Sequence, residues 1–190
     1  MTKITKDDIL QAAIHLFSRN GYHATSMQDI ARAVAIKKPS LYHHFENKEA
    51  ILLEILETGM AQLISEMENI VDSDARPDEK LRHAIQSHAG IIAANLEGAA
   101  VFLREDRGLG DAYLERYLTS RDRFEKLMRR IIQEGVEGGC FQQTDVTITV
   151  KAVLGIVNWM TRWYHPDGRL SAAEIATFFS DLVLRGLMKP

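Results

Sequence analysis

The chain has 190 residues, 46% of them hydrophobic, with one cysteine and a formal net charge of -3. That is enough apolar material for a core; lone Cys140 excludes an internal disulfide, and without a secretory leader a reducing cytoplasm is the expected setting. The most apolar stretch, Val146 to Trp163, is interrupted by Lys151, Asn158 and Arg162, short of the roughly 18 uncharged residues that a membrane span needs, and the acidic balance speaks against a generic nucleic-acid binder.

Helical periodicity runs through nearly the whole chain, which predicts an all-α fold of about nine helices. Thr5 to Asp8 reads as a capping box, and Ile9, Leu10, Ala13, Ile14 and Phe17 form one apolar face that stops at Asn20-Gly21. Ser26 to Asp29 is a second capping box, opening a helix of barely two turns with Met27, Ile30, Ala31 and Val34 inward. A break near Ala35-Ile36 precedes a further short helix, Lys38 to Phe45, whose first turn tolerates Pro39 because no intrahelical N–H bond is needed there.

Asn47 then caps a long helix to about Val71, and Asp72 to Pro77 forms a loop. Beyond it helices are expected over about 78–96, 99–104 and 111–136, the last ended by Gly138-Gly139. Asp145 caps a helix reaching Tyr164, His165 to Gly168 turns, and Ser171 to Glu174 is a third capping box that opens the final helix. No repeat or low-complexity tract is present.

Two short helices joined by a tight turn and braced by a longer one form the arrangement that seats the second short helix in the DNA major groove. Charge is mildly favourable: residues 1–50 carry seven Lys/Arg against five Asp/Glu and four of the seven histidines, whereas residues 51–190 carry sixteen against twenty-one. The run from Thr25 through Asp29-Ile30-Ala31 and Leu41-Tyr42-His43-His44-Phe45 to Lys48-Glu49, with Phe17 and Gly21-Tyr22 before it, closely resembles the N-terminal signature of the TetR family.

The resemblance implies a helix-turn-helix DNA-binding domain over 1–47 and a helical ligand-binding and dimerisation domain over 48–190. It implies that Thr25 and Ser26 meet a phosphate at the start of the second helix, that Lys38, Ser40 and His43 face the groove, and that Lys48 grips a phosphate. Tyr42 is either a packing residue or a contact to the DNA backbone. Those residue types suit the roles, since lysines and helix-start amides bind phosphates while hydroxyl, ammonium and imidazole groups reach base edges. The sequence departs from the family at Ala35, where glycine is usual, and at Lys37 and Pro39, where small or hydroxyl residues are usual; Lys37 joins the DNA-facing set. Adjacent His43 and His44 point apart on a helix, so a metal pair is not expected.

In the family the remaining helices bind a small molecule and the last two pair into a dimer interface. The apolar faces Val150, Val153, Leu154 and Val157, and Phe178, Phe179, Leu182 and Val183, are therefore assigned to a homodimer, with intrachain core as the other reading. The stretch from Asn158 to Ser171, with Trp159, Arg162 and Trp163 at helical spacing, and Phe102-Leu103-Arg104-Glu105 are similar to regulators of fatty-acid, aromatic-acid and steroid catabolism, several of which respond to acyl-coenzyme A thioesters. Such a ligand needs an apolar tunnel and cationic groups. Phe102, Tyr117, Phe124 and Trp159 are candidates for the first; Arg104, Arg121, Arg162 or Arg129-Arg130 are candidates for the second, with Trp163 alongside. Trp159 and Trp163 as core or interface aromatics is the other reading, and another hydrophobic small molecule is the other effector.

Together these expectations describe a repressor of double-stranded operator DNA with a small-molecule effector, and no catalytic site, metal, resident cofactor or membrane contact. An enzyme is disfavoured because no paired Glu-x-x-His motif, Gly-x-Ser-x-Gly elbow or phosphate-binding glycine loop occurs. A helical scaffold that ignores DNA is the remaining rival.

Overall fold

The computed structural model describes residues 4–104 and 108–189, so Glu105 lies outside the described residues. Among the described residues ten helices follow one another: α1 Lys6–Asn20, α2 Met27–Ala33, α3 Lys38–Tyr42, α4 Lys48–Val71, α5 Pro77–Ala94, α6 Leu96–Arg104, α7 Asp111–Glu137, α8 Val146–Asn158, α9 Met160–Trp163 and α10 Ala172–Leu187. The helix expected to reach Tyr164 is divided at Trp159, where the Arg162 amide bonds back to the Trp159 carbonyl in a tighter i to i+3 step. Among the described residues no helix is long and apolar enough to cross a membrane.

The chain forms two compact units, Met1–Gly59 with Glu97–Thr119, and Met60–Leu96 with Ser120–Pro190. They cut the chain differently from 1–47 and 48–190, because α4 is one uninterrupted helix and the boundary falls inside it.

In the first unit, the apolar stripe of α1 is buried as its period requires, with Phe17 edge-on to Tyr22 at 5.2 Å between ring centroids. Capping boxes at Thr5 with Asp8 and at Ser26 with Asp29 satisfy the first amides of α1 and α2 and hold both carboxyls below the usual carboxylate range. Gly21 ends α1 at φ +84°, and Ala35 takes the left-handed turn between α2 and α3 at φ +55°. A non-glycine residue there costs about 1 kcal/mol, which the buried anchors Ile30, Ala31 and Leu41 around the turn readily offset. The 97–119 segment is tied to the head by polar contacts: His15 to Glu97 at 3.1 Å, the Gly110 amide to Glu49 at 2.8 Å, the Tyr113 hydroxyl to Glu46, and Arg116 to Glu57 at 2.9 Å.

In the second unit, α5 and α10 pack against each other, joined by Arg82, which donates to the Ser180 hydroxyl at 3.1 Å and to Asp181 at 2.6 Å. Lys80 is buried and donates to the Val71 carbonyl at 2.7 Å, capping the end of α4, while lying 3.4 Å from Glu134. Phe141 is fully buried against α7; a Cβ on Gly135 would stand 2.1 Å from its ring, so only glycine lets the ring approach.

Candidate functional site

α3 is a short helix anchored at one side and open on the other. Leu41 and Phe45 are buried, whereas Lys37, Lys38, Ser40, Tyr42, His43 and His44 are exposed. Lys37 occupies the N-cap without a side-chain cap bond, and Pro39 sits in the first turn. The Lys38 ammonium lies 5.8 Å from the Tyr42 ring centroid, so two DNA-facing candidates share one side of the helix. Ser26, exposed, caps α2 through Asp29.

Two expected phosphate ligands are used elsewhere. Thr25 is 2% exposed, and its hydroxyl donates to the Gly21 carbonyl at 2.9 Å; it closes the turn after α1 instead of standing open to DNA. The Lys48 ammonium donates to the Tyr22 carbonyl at 2.6 Å and the Thr25 carbonyl at 2.7 Å, and lies 4.2 Å from the Tyr22 ring centroid. Burial, with Glu49 nearby, pushes the Tyr22 phenol up to about 12, so the ring under the ammonium stays neutral. Lys48 is thus a strut of the turn that delivers α2 and α3.

Within the second unit, α8 is apolar on both sides. Val150, Val153 and Val157, expected at a subunit interface, are buried in the unit's own core. The outward face of α8 instead carries Ile148, Ala152, Gly155 and Trp159, with Leu154 half-buried. On α10, Phe178 and Leu182 are 64% and 53% exposed, and Phe179 and Val183 are half-buried.

The expected effector residues are distributed over both units. In the first, Phe102 meets buried Tyr117 edge-on at 5.8 Å, and Arg104 is exposed at the end of α6. In the second, Phe124 is buried, Arg162 is exposed, and Trp163 packs on Phe179 at 6.3 Å. Trp159 is 62% exposed and lines no interior tunnel; its helix turns that side away from the core that Val153 and Val157 fill. Arg129 donates to the Thr147 hydroxyl at 2.6 Å, and Arg130 to Glu134 at 2.8 Å.

Sequence reading passed over His88. It is 6% exposed, edge-on to Phe124 at 5.5 Å, and burial holds its imidazole down to about 4 from an ordinary 6.5. The folded state therefore keeps His88 neutral between these two values while the unfolded chain takes up a proton. Stability is complete above about pH 6.5 and is lost as pH falls toward about 4. Urea unfolding of the ligand-free protein is expected to show about 2 kcal/mol lost to this group between about pH 7.5 and about pH 5. His88→Phe should remove that part of the pH dependence; an unchanged slope would contradict the assignment.

Residues 9–55 match the family of bacterial regulatory proteins of the tetR type, and residues 74–187 match the tetracyclin repressor-like C-terminal domain. The chain is 30% identical over 184 residues to the HTH-type transcriptional repressor KstR2 of Mycolicibacterium smegmatis, covering 96% of this chain and 90% of that protein. The crystal structure of the TetR-family regulator PfmR from Thermus thermophilus superposes with a TM-score of 0.87 at 39% identity, over 95% of this chain and 99% of that one. AibR, solved in complex with isovaleryl coenzyme A and operator DNA, matches with a TM-score of 0.86 at 28% identity, over 93% of this chain and 96% of that one. The chain belongs to the TetR family and is a DNA-binding transcriptional repressor rather than an enzyme.

Proposed function

We propose that this repressor acts as a homodimer that holds a palindromic double-stranded operator through α3 of each subunit and releases it when an acyl-coenzyme A thioester binds. The observation that carries the reading is the split character of α3: Leu41 and Phe45 hold it to the head while Lys37, Lys38, Ser40, Tyr42 and His43 stand on the outside. A lysine on such a helix meets phosphate or guanine, and serine and imidazole reach base edges. Ser26 adds the start of α2 as a backbone contact.

The outward row of Ile148, Trp159, Phe178 and Leu182 supports dimerisation, since apolar side chains of this size exposed together mark an interaction face. In such a dimer the two α3 helices sit about 34–36 Å apart, one turn of DNA. A thioester effector is supported by the likeness to AibR and by the residue types of the second unit, where Phe124 offers an apolar ring and Arg121 and Arg162 offer cations, with Trp163 next to Arg162 in the chain. Release requires the effector to favour another α3 spacing by a coupling of about 1–3 kcal/mol.

Fluorescence anisotropy with the DNA upstream of its own gene tests the interface. Lys38→Ala is expected to weaken binding and to reduce the slope of log affinity against log salt by about one. Unchanged affinity and slope after Lys38→Ala would remove α3 from the interface.

A further inference from the structure

We propose that the segment 108–113, at the start of α7, positions the DNA-binding helices α2 and α3 by docking on both sides of Lys48. The proposal goes beyond the operator contacts above and rests on one of them, the reading of α3 as the helix that meets DNA. Gly108 supplies the apolar half of the dock. A Cβ on it would stand 2.6 and 2.8 Å from Cδ1 and Cε1 of the Tyr22 ring and 3.2 Å from Cδ2 of Leu52, so the backbone lies on that ring and only a hydrogen fits between. Tyr22 is 4% exposed, and the Lys48 ammonium that braces the Tyr22 and Thr25 carbonyls stands 4.2 Å from the centroid of the same ring. Glu46 and Glu49 supply the polar half: the Gly110 amide donates to Glu49 Oε1 at 2.8 Å, and the Tyr113 hydroxyl donates to Glu46. The Gly110 carbonyl accepts from the Tyr113 and Leu114 amides at 3.1 and 2.9 Å and so opens α7, which places the Glu49 carboxylate at the positive end of a 27-residue helix.

With five residues, α3 is too short to hold its direction by itself, so its aim is set by its connections. On the upstream side is the Tyr22 to Thr25 turn that leads into α2, and on the downstream side is the 43–47 link that carries Glu46 into α4. The segment 108–113 touches both. Within it only Leu109 is buried, so the dock holds by hydrogen bonds and close backbone contact and adds little to the core that Phe17, Ile30 and Leu41 form. Undocking the segment should therefore misdirect α2 and α3 more than it unfolds them.

Anisotropy with labelled upstream DNA, run on the full-length protein well below each variant's unfolding temperature, tests the dock. Gly108→Ala, whose methyl must displace the Tyr22 ring, and Glu49→Met, which keeps the length but loses the acceptor, are each expected to lower affinity on the order of tenfold. Loss of a carboxylate near DNA would by charge alone raise affinity, and the slope of log affinity against log salt should stay that of wild type because no phosphate contact is lost. Glu49→Gln keeps an acceptor oxygen and should recover most of the affinity. Gly108→Ala combined with Glu49→Met should bind no more weakly than the weaker single variant, since either change frees the same segment. Full affinity in both single variants, no recovery in Glu49→Gln, or losses that multiply in the double variant overturn the proposal. If Lys38→Ala binds as wild type does, α3 is off the DNA and the positioning role falls with it; a weakened Lys38→Ala beside full affinity in Gly108→Ala and Glu49→Met removes the dock alone.

Discussion

Phe178→Glu combined with Leu182→Glu is expected to leave a folded monomer that no longer holds operator DNA. The two side chains stand one helical turn apart on the outer side of α10, whereas Ile175, Ala176, Leu184 and Leu187 on the other side carry its packing in the second unit. Carboxylates at exposed positions disturb no core contact, so helicity and unfolding temperature should change little. In a symmetric interface each substitution occurs twice, and burying four carboxylates without partners is prohibitive. Losing the dimer removes the second half-site contact, and with it an affinity factor on the order of a hundredfold to a thousandfold. Light scattering gives the mass and anisotropy gives the affinity. A variant that stays dimeric and binds DNA as wild type does would place the interface elsewhere.

Lys48→Met should weaken DNA binding without removing a phosphate contact. The methylene stem is retained, but the Tyr22 and Thr25 carbonyls lose the donors that reach them at 2.6 and 2.7 Å. Hydrogen bonds from a charged donor contribute about 1.5–3 kcal/mol each, so the head should lose roughly 3 kcal/mol of stability in denaturant unfolding. Because Thr25 also fixes the end of α1 through Gly21, the turn that aims α2 and α3 loosens, and affinity should fall on the order of tenfold. The salt dependence separates the two roles. A lost phosphate contact lowers the slope by about one, whereas a lost strut leaves the slope as it was. A lowered slope with unchanged stability would return Lys48 to the phosphate.

The head was the most legible part of the chain because its signals are local. A hydroxyl and an acid three residues apart set the starts of α1, α2 and α10, and the break at Ala35 separates two short helices that cannot be read as one. What Thr25 and Lys48 touch was not legible: the acceptor of one lies four residues back across a turn, and those of the other lie 23 and 26 residues away. Residue type suggested phosphate ligands, and only the fold shows carbonyls within reach.

The body fared differently. α8 has apolar residues all round, so periodicity cannot say which side meets its own core; Val150, Val153 and Val157 turn inward and Ile148 and Trp159 outward. His88 was passed over because a single histidine in an amphipathic helix carries no pattern. Its burial becomes visible only once Phe124, thirty-six residues later, is seen edge-on to the ring.

The most direct test of the central claim is anisotropy of labelled upstream DNA titrated with wild-type protein, with and without isovaleryl coenzyme A. Saturable binding of one dimer per site at physiological salt is expected, lost in Phe178→Glu with Leu182→Glu, weakened in Lys38→Ala, and reversed by the thioester. Binding that neither set of substitutions alters, or no binding with or without the thioester, would contradict it.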